Sequence, residues 1–361
     1  MSASEAFEKP LRFGLVGLGY WGPNLLRVLA ELEETEVSWM CDLDRERLER
    51  FGRRYPAART TADVEDLLGD TELDAIVIAT PVFTHFELAS RALRAGKHTF
   101  VEKPLASSAQ EAAQLTRLAA SVDRRLMCGH TFVYSPPVQA VRSLLAAREL
   151  GEVFFISSSR VNLGLHQPDV SVIWDLGPHD FSILLHWLGE VPTSVRAVGR
   201  DSIVPGIPDV AFVNLTYASG IVANVELSWL APSKLRRTVV VGSEKMVVYD
   251  DGAPEPVRVF DHGVVYRDPE TFGEHQLSYR TGDILSPKIG TSEPLLEEMR
   301  DFAAAIAHGT EPISSAALAR DVVGMIEAAD RSLAAGGAEV AIEPEPGDEI
   351  FLRSRRTLVA G

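Results

Sequence analysis

Cysteine and positive charge are both scarce in this sequence. The 361 residues include two cysteines, Cys41 and Cys128, which have apolar neighbours and lack the spacing of a metal site. We expect both thiols to be reduced and buried, as in a reducing compartment, and we expect no bound metal. The 35 basic residues face 51 acidic ones, for a formal net charge of −16. This balance argues against nucleic acid or an anionic membrane as a partner.

Long apolar runs are missing as well. Residues 1–10 are polar and acidic, and the apolar run 11–18 is too short and too rich in glycine for a signal peptide or a membrane span. We therefore expect a cytoplasmic protein. The length is sufficient for two domains with buried cores and exceeds that of one typical core.

What the sequence does contain is a regular alternation of short β-branched runs and helical patterns from residue 11 to about 129. The predicted strands are 12–16, 36–42, 75–79, 98–101 and 125–128. The predicted helices are 22–32, 45–55, 85–95 and 107–120. Such alternation indicates an α/β region with a parallel sheet covered on both faces. We assign it to a first domain, residues 1–130.

The pattern changes after Pro136-Pro137. Helices are predicted at 138–147, 178–188, 294–307 and 315–335. Longer strands are predicted at 152–161, 194–200, 210–217, 221–230, 235–241 and 245–249. Turns such as Tyr217-Ala218-Ser219-Gly220 indicate hairpins between neighbouring strands. We therefore expect the second domain, residues 131–361, to be an α+β domain built on a largely antiparallel sheet.

One face of this second sheet is expected to need a cover. The strand 210–217 is apolar on both faces at several positions, and the strand 221–230 places five apolar side chains on one face: Ile221, Ala223, Val225, Leu227 and Trp229. With helices on one face, the other can be covered by a second subunit, so we expect a homodimer or homotetramer formed through this sheet. The alternative is a long loop lying across it.

A glycine-rich turn follows the first predicted strand. Its sequence is Gly17-Leu18-Gly19-Tyr20-Trp21-Gly22, a GxGxxG pattern that opens a helix, with Pro23 at the first helical position. Gly17 permits a tight turn, Gly19 lets the backbone approach a pyrophosphate, and Gly22 allows close helix–strand packing. The helix N-terminus offers amides and a partial positive charge to the phosphates. The first domain is therefore predicted to be a doubly wound Rossmann domain that binds a nicotinamide dinucleotide.

Asp42 ends the second predicted strand, twenty positions after Gly22. A carboxylate there accepts hydrogen bonds from the adenosine ribose and repels a 2′-phosphate, which favours NAD over NADP. Arg45 and Arg47 stand nearby and could accommodate a phosphate if Asp42 turned away. The alternative role for Asp42 is to cap the following helix.

Glu102-Lys103-Pro104 ends the fourth predicted strand. The carboxyl ends of parallel strands line the ligand crevice, so Lys103 is expected on the nicotinamide side. Pro104 allows a cis peptide bond before it. A lysine at this point can stabilise the negative charge that develops on the reacting oxygen during hydride transfer. The alternative is a solvated surface lysine.

Asp175 and His179 form a second candidate pair. Gly177-Pro178 is expected to start a helix, which places His179 in its first turn and Asp175 just before it. A helix N-terminus favours the neutral imidazole, which suits a base that accepts a hydroxyl proton, and a nearby carboxylate can orient the ring. The alternative is that Asp175 caps the helix and His179 is a packed core histidine.

Taken together, these motifs carry a resemblance to a known family. The Gly17–Gly22 turn, Ala79-Thr80-Pro81 with His85, Glu102-Lys103-Pro104 and Asp175-x-x-x-His179 occur in the order seen in the glucose–fructose oxidoreductase/inositol dehydrogenase/MocA family. The chain resembles this family over nearly its whole length. The resemblance implies that Lys103 and His179 are catalytic and that Asp175 is a carboxylate near the substrate. It also implies four residues lining the cofactor: Thr80, Pro81, His85 and Glu102.

The resemblance implies a substrate class as well. It is nearest to members that oxidise or reduce sugar nucleotides at C3, and the alternatives are a cyclitol such as inositol or a free sugar. Arg160, Asn162 and Gln167 are the candidate substrate contacts, whereas Val133-Tyr134 stands where many members have Arg or Asn. A non-catalytic NAD-binding sensor is disfavoured, because such chains tend to lose the lysine or the histidine.

Overall fold

The computed structural model describes residues 9–164, 170–266 and 277–342. The chain divides into two compact units. Unit 1 contains the chain up to Tyr134 together with Ser292–Gly324. Unit 2 contains Ser135–Thr291 and the chain from Met325 onward.

Unit 1 is built on a six-stranded parallel sheet, which confirms the predicted doubly wound architecture. The strands are Leu11–Val16 (β1), Thr35–Cys41 (β2), Arg59–Thr61 (β3), Ala75–Ile78 (β4), His98–Val101 (β5) and Leu126–Cys128 (β6). Their order in the sheet is β3-β2-β1-β4-β5-β6, and every pair is parallel. The sequence does not predict β3, because its three residues, Arg-Thr-Thr, form a polar edge strand without an apolar period.

Five helices connect these strands: Gly22–Glu31 (α1), Arg45–Arg54 (α2), Glu65–Gly69 (α3), His85–Arg94 (α4) and Ala109–Ser121 (α5). Side-chain caps set two of the starts. Asp44 accepts the amides of Glu46 and Arg47 at the start of α2, and Ser108 accepts the amide of Glu111 at the start of α5. Only α3 is absent from the predicted helices, since a five-residue helix is too short to show a period.

Unit 2 is built on a nine-stranded sheet. Its strands are Val153–Leu163 (β7), Ser194–Arg200 (β8), Val210–Thr216 (β9), Val222–Ser228 (β10), Leu230–Gly242 (β11), Met246–Asp250 (β12), Val257–Tyr266 (β13), Leu277–Leu285 (β14) and Val340–Ala341 (β15). Their order is β14-β13-β12-β11-β7-β10-β9-β8-β15. Only β7 and β10 pair in parallel among these strands, so the expected largely antiparallel sheet is confirmed.

The remaining helices are Pro136–Ala146 (α6), Val172–Leu188 (α7), Pro294–His308 (α8) and Ala316–Ala334 (α9). In unit 2, α7 packs on β7, β9 and β10. The β10 side chains Ala223, Val225 and Leu227 are fully buried, as the predicted alternation requires, but it is α7, and not a second subunit or a long loop, that packs on this face. Within the described ranges, no helix combines the length and the apolar character that crossing a membrane would take.

Residues 292–324 belong to unit 1, whereas the sequence predicts a second domain that runs without a break from 131 to 361. Phe302 of α8 packs edge-on against Phe13 of β1, with the ring centroids 5.9 Å apart, and lies at the same distance from Phe100 of β5. Leu295 and Met299 join the same buried cluster. The apolar period of α8 shows that one face is buried, but it does not show which core that face joins.

Candidate active site

The glycine-rich turn between β1 and α1 adopts the tight conformation expected of it. Gly17 has a φ of +97°, and a Cβ atom there would lie 2.5 Å from the carbonyl oxygen of Ala79. A Cβ at Gly22 would collide with the carbonyl oxygen of Gly17. Gly19 is open, because a Cβ there would meet only the Arg47 guanidinium, at 3.8 Å. This shape admits a pyrophosphate to the backbone and to the N-terminus of α1.

Asp42 ties this turn to the end of β2. Its Oδ2 accepts the amide of Leu18 at 2.6 Å, and its Oδ1 accepts the amide of Asp44 at 2.8 Å. The cap of α2 is Asp44, so the alternative that Asp42 caps this helix is wrong. Each carboxylate oxygen has a second lone pair, which leaves Asp42 able to accept from a ribose hydroxyl. Arg47 lies 3.7 Å from Oδ2 and partly balances its charge.

Four exposed apolar side chains lie beyond the strand ends of unit 1. Tyr20 and Trp21 pack edge-on within the turn, with ring centroids 5.9 Å apart. Leu43, next to Asp42, is 89% exposed, and Phe83, in the segment after β4, is 75% exposed. The sequence reasoning missed Leu43 and Phe83. Their signal was apolar character just past the carboxyl ends of β2 and β4, where a ligand can cover it.

His85 joins two loops at this edge. Its Nε2 lies 2.8 Å from the carbonyl oxygen of Thr80, and its Nδ1 lies 2.9 Å from that of Pro104. Burial lowers the pKa of His85, against the opposing effect of the two carbonyl contacts. The Thr80 hydroxyl lies 2.7 Å from that of Thr84, whose amide donates to Pro81. Both ring nitrogens of His85 are therefore engaged with backbone, which fixes the loops on either side.

Lys103 lies two residues beyond β5, and the Lys103–Pro104 peptide bond is cis. Because β3 precedes it, β5 is the fifth strand of the unit and not the fourth. The amide of Lys103 donates to Oε2 of Glu102 at 3.2 Å. Burial raises the pKa of Glu102 to about 7, and the Lys103 ammonium opposes that rise.

Two further buried groups accompany Lys103 in unit 1, and the sequence reasoning missed both. Glu298 of α8 accepts the Thr131 hydroxyl at 2.7 Å, and burial together with the charge of Glu102 raises its pKa. His130 is buried, and neither ring nitrogen has a partner among the described residues. Burial and the Lys103 charge lower the pKa of His130 to about 3. The available signal was Glu298 itself, a carboxylate on the apolar face of α8.

The predicted cofactor residues of unit 1 thus come from strands that are neighbours in the sheet. The glycine turn follows β1, Asp42 follows β2, Thr80 follows β4, and Lys103 follows β5. These strands stand in the order β2-β1-β4-β5. All of these groups therefore lie at the carboxyl ends of the parallel strands, where α/β folds bind their ligands.

The second pair of candidates lies on α7, but the helix begins earlier than predicted. It starts at Val172 and not at Pro178, so His179 is in its interior and Asp175 is in its first turn. Pro178 is tolerated inside the helix because it removes only one amide donor, the one that would bond the Trp174 carbonyl. His179 therefore does not lie at a helix N-terminus, and the predicted effect of such a terminus on its imidazole is wrong. In its place, Asp175 and His179 are four residues apart and share one face of α7.

The indole of Trp229 bonds the carboxylate of Asp175. Its Nε1 donates to Oδ2 of Asp175 at 3.1 Å. Trp229 is the residue that links β10 to β11 along the chain, and its ring is buried. The sequence placed Trp229 on the covered face of the sheet but did not indicate this contact, because it joins residues 54 positions apart.

The three candidate substrate residues differ from one another in their surroundings. Arg160 is buried and pairs through its Nε with Asp180, whose other oxygen accepts the Ser158 hydroxyl at 2.7 Å. The side-chain oxygen of Asn162 is buried, and no described residue donates to it. Gln167 lies outside the described residues. Tyr134 is also structural in character, because its buried hydroxyl donates to Asp301 at 2.7 Å.

A parallel sheet with a pyrophosphate-admitting turn, joined to an α+β unit with a carboxylate–histidine pair, defines a two-domain nicotinamide oxidoreductase. Two family models match the chain. The model described as an oxidoreductase family with an NAD-binding Rossmann fold matches residues 11–130, and the model of the GFO/IDH/MocA C-terminal domain matches residues 138–248. The chain belongs to the glucose–fructose oxidoreductase/inositol dehydrogenase/MocA family.

Individual relatives agree with this assignment. Inositol 2-dehydrogenase of Rhizobium meliloti (strain 1021) is 27% identical over 90% of this chain and 97% of its own length. UDP-N-acetylglucosamine 3-dehydrogenase of Acidithiobacillus ferrooxidans is 29% identical over 66% of this chain and 74% of its own length. The crystal structure of GenD2 from gentamicin A biosynthesis, in complex with NAD, superposes with a TM-score of 0.78 at 26% identity and covers 93% of this chain and 97% of that one.

The cofactor is NAD, in agreement with the family model and with the NAD complex of a structural relative. The open backbone at Gly19 and the carboxylate of Asp42 at the end of β2 fit this dinucleotide.

Proposed function

We propose that this protein transfers a hydride between NAD and a secondary hydroxyl or ketone of a sugar, with a nucleotide-linked sugar oxidised or reduced at C3 as the favoured substrate. The observation that carries the proposal is the pair of Asp175 and His179 on one face of α7, with the carboxylate held by Trp229. Oxidation of an alcohol needs a proton acceptor as well as a hydride acceptor, and this pair is suited to take the proton.

Three residues carry the chemistry in this proposal. When bound, NAD supplies the nicotinamide ring that exchanges the hydride. His179 accepts the proton of the substrate hydroxyl during oxidation and returns it during reduction. Asp175 orients the imidazole and balances the positive charge that forms on it. Lys103 donates a hydrogen bond to the reacting oxygen and stabilises its developing negative charge.

The remaining residues at the sheet edge are proposed to hold the cofactor. Gly17, Gly19, Tyr20, Trp21 and Gly22 would meet the pyrophosphate, and Asp42 the adenosine ribose. Thr80, Pro81, Glu102 and Lys103 would line the nicotinamide half, with His85 fixing the loop that carries Thr80. Leu43 and Phe83 would cover the faces of the adenine ring, since both expose most of their apolar surface.

The substrate proposal rests on similarity and on charge. The likeness to UDP-N-acetylglucosamine 3-dehydrogenase favours a sugar nucleotide, whose phosphates would require cationic contacts. Exposed Lys234 and Arg237 on β11 are candidates, and Arg236 lies beside them in an ion pair with Asp251. The second candidate is a cyclitol, because the match to inositol 2-dehydrogenase spans almost all of that protein.

A substrate panel tests both proposals. Purified protein and NAD are incubated with UDP-N-acetylglucosamine, other nucleotide sugars, free sugars and myo-inositol, and nicotinamide absorbance is followed. Turnover that is specific to a nucleotide sugar supports the first proposal, and turnover of myo-inositol alone supports the second. Tight NAD binding without turnover on the whole panel contradicts both and points to a sensor.

We also propose a homo-oligomer formed through the open face of the unit 2 sheet, in a cytoplasmic protein. Phe212 of β9 and Val222 of β10 are 41% and 47% exposed, and they alternate with buried neighbours on their strands. Phe155 of β7 pairs with Val222 and is likewise exposed. Such a patch favours a partner subunit. Cys41 and Cys128 are free and buried, which suits a reducing compartment.

A further inference from the structure

Trp229 lies outside α7, and its indole donates a hydrogen bond to the carboxylate of Asp175. We infer that Trp229 is a positioning residue, whose indole N–H fixes the carboxylate of Asp175 and through it the orientation of His179. This inference rests on the proposed function, since it gives Trp229 a part in the same proton transfer. It places a determinant of activity at the junction of β10 and β11, outside the helix α7 that carries Asp175 and His179.

The backbone of Trp229 is held on both sides. Its amide donates to the carbonyl oxygen of Asp209 at 2.9 Å, and its carbonyl accepts the amide of Gly164 at 2.9 Å. Asp209 is itself buried, and its carboxylate accepts the amides of Ser202 and Ile203, each at 2.8 Å. The main chain that carries the indole therefore cannot shift without breaking several buried hydrogen bonds.

The ring is confined as well. Gly164 faces it so closely that a Cβ at that position would lie 2.7 Å from Cδ1 of the indole. With the ring fixed in this way, the direction of its N–H is set by the fold and not by a mobile side chain. A donor with a fixed direction selects one rotamer of the carboxylate that it meets.

The chemistry of the indole suits this role. An indole nitrogen donates hydrogen bonds and does not accept them, so Asp175 is always the acceptor in its bond with Trp229. The bond engages Oδ2 and restricts the rotation of the carboxylate. His179 lies one helical turn further along the same face of α7, within the range at which such side chains interact. Trp229 therefore orients the Asp175–His179 pair from outside α7, as the hydrogen-bond partners of functional residues commonly do.

Unit 2 offers a matched control. Trp187 is buried like Trp229, and its indole also donates one hydrogen bond, to the carbonyl oxygen of Val138 at 2.9 Å. Trp229→Phe and Trp187→Phe therefore remove the same atoms and leave comparable buried gaps. Only the first removes a bond to Asp175. A difference between the two variants then reports on the carboxylate contact, and a shared effect reports on packing.

The kinetic test uses the full chain with NAD and with UDP-N-acetylglucosamine or myo-inositol, whichever the panel shows to be turned over. Trp229→Phe is expected to lower kcat about 10- to 100-fold, the usual effect of losing an orienting partner, with KM changed less than about threefold. Trp187→Phe is expected to leave both within about threefold. Equal losses of kcat in the two variants, or no loss in Trp229→Phe, would overturn the inference.

A second measurement does not depend on turnover, so it separates a failure of this inference from a failure of the proposed function. The side-chain nitrogens of ¹⁵N-histidine-labelled protein are recorded by NMR, and the His179 signals are assigned by their loss in His179→Asn. Trp229→Phe is expected to shift them and Trp187→Phe to leave them unchanged. Unchanged His179 signals in Trp229→Phe would sink the inference even if the enzyme is a sugar dehydrogenase.

Asp175→Asn tests the same hydrogen bond from its acceptor side and leaves the buried indole in place. It can therefore be used if Trp229→Phe does not fold. It is expected to shift the indole N–H resonance of Trp229, which is assigned by triple-resonance NMR because the chain has five tryptophans. The Trp187 resonance is expected to stay in place. Movement of neither indole resonance would show that the bond between Trp229 and Asp175 does not form in solution.

Discussion

At the scale of single residues, the surroundings of Lys103 contain more ionisable groups than hydride transfer requires. Glu102 and Glu298 are both buried in unit 1, and burial together with the charge of Glu102 raises the pKa of Glu298. His130 nearby stays neutral, since burial and the lysine charge both oppose its protonation.

The roles of Lys103 and His179 give the first prediction. Lys103→Met and His179→Ala should each lower turnover at least a hundredfold or so, the magnitude typical of oxyanion and acid–base groups. NAD affinity, measured by quenching of tryptophan fluorescence, should remain within a few-fold. Normal turnover in either variant would remove that residue from the mechanism.

The buried carboxylate of Glu102 predicts a pH dependence of stability. Its pKa is about 7 in the folded protein against an ordinary value of 4.5, so the folded state binds more protons between these values. Stability from this group is therefore fully present below pH 4.5 and is lost as the pH rises through 7. Glu102→Gln should gain about 3 kcal/mol over wild type between pH 4.5 and pH 8, measured by urea unfolding.

The control for this prediction is Glu87→Gln, which removes an exposed carboxylate of α4. Its unfolding free energy should follow that of wild type at every pH. If the curves of Glu102→Gln and wild type also run parallel from pH 4.5 to pH 8, then Glu102 does not titrate in the buried state described here.

Asp42 gives a prediction about cofactor choice. Asp42→Ala should weaken NAD binding and relax discrimination against NADP, because it removes a ribose acceptor and one of the two carboxylates that pair with Arg47. The ratio of NADP to NAD dissociation constants measures this. Asp44→Ala, which removes the cap of α2 and the other carboxylate beside Arg47 but keeps the ribose acceptor, should cost about 1 kcal/mol of stability and change that ratio less than Asp42→Ala does. An unchanged ratio in Asp42→Ala would limit Asp42 to bracing the turn.

At the scale of elements, the strand–turn–helix of β1 and α1 depends on backbone atoms being close together. Gly22→Ala would put a methyl group on the carbonyl oxygen of Gly17, so the helix would have to move away from the strand. We expect a lower melting temperature and at least a tenfold or so loss of NAD affinity, as the N-terminus of α1 leaves the pyrophosphate. Gly69→Ala in α3, where nothing lies within 4 Å, is the matched control and should do neither.

The helix α7 shows how an element can be longer than its sequence signals. Gly177-Pro178 is typical of a helix start, yet the helix runs from Val172 to Leu188. Its interior residues Phe181, Leu184 and Leu185 are buried, and this packing on the sheet outweighs the one hydrogen bond that proline removes. The extra turn brings Asp175 onto the same helix as His179. The two residues are therefore neighbours on one face of α7, and not residues on either side of a helix start.

At the scale of the whole molecule, the open face of the unit 2 sheet predicts association. Phe212→Asp combined with Val222→Asp should convert an oligomer to a monomer, because two charges would replace exposed apolar side chains on that face. Light scattering after size exclusion measures the mass. Tyr279→Asp, at an exposed position of the edge strand β14, is the control and should leave the mass unchanged. A wild-type protein that is already monomeric would rule out this interface.

The return of the chain to unit 1 is also a property of the whole molecule. The helix α8, which begins 166 positions after the end of β6, completes the core around Phe13 and Phe100 and contributes the buried Glu298. Nothing in the local sequence of α8 specifies this destination. Its apolar face would serve equally well against the core of either unit.

Local sequence determined the alternation of strands and helices and the glycine turn, because each of these depends on neighbours within a few positions. The resemblance of the whole motif set to a family singled out Lys103, Asp175 and His179. The tertiary structure decided which acidic residue caps α2, where α7 begins, that Arg160 is paired with Asp180, and that Trp229 meets Asp175. These are contacts between residues that lie on different elements or compete for the same role, and only the packing of the elements selects among them.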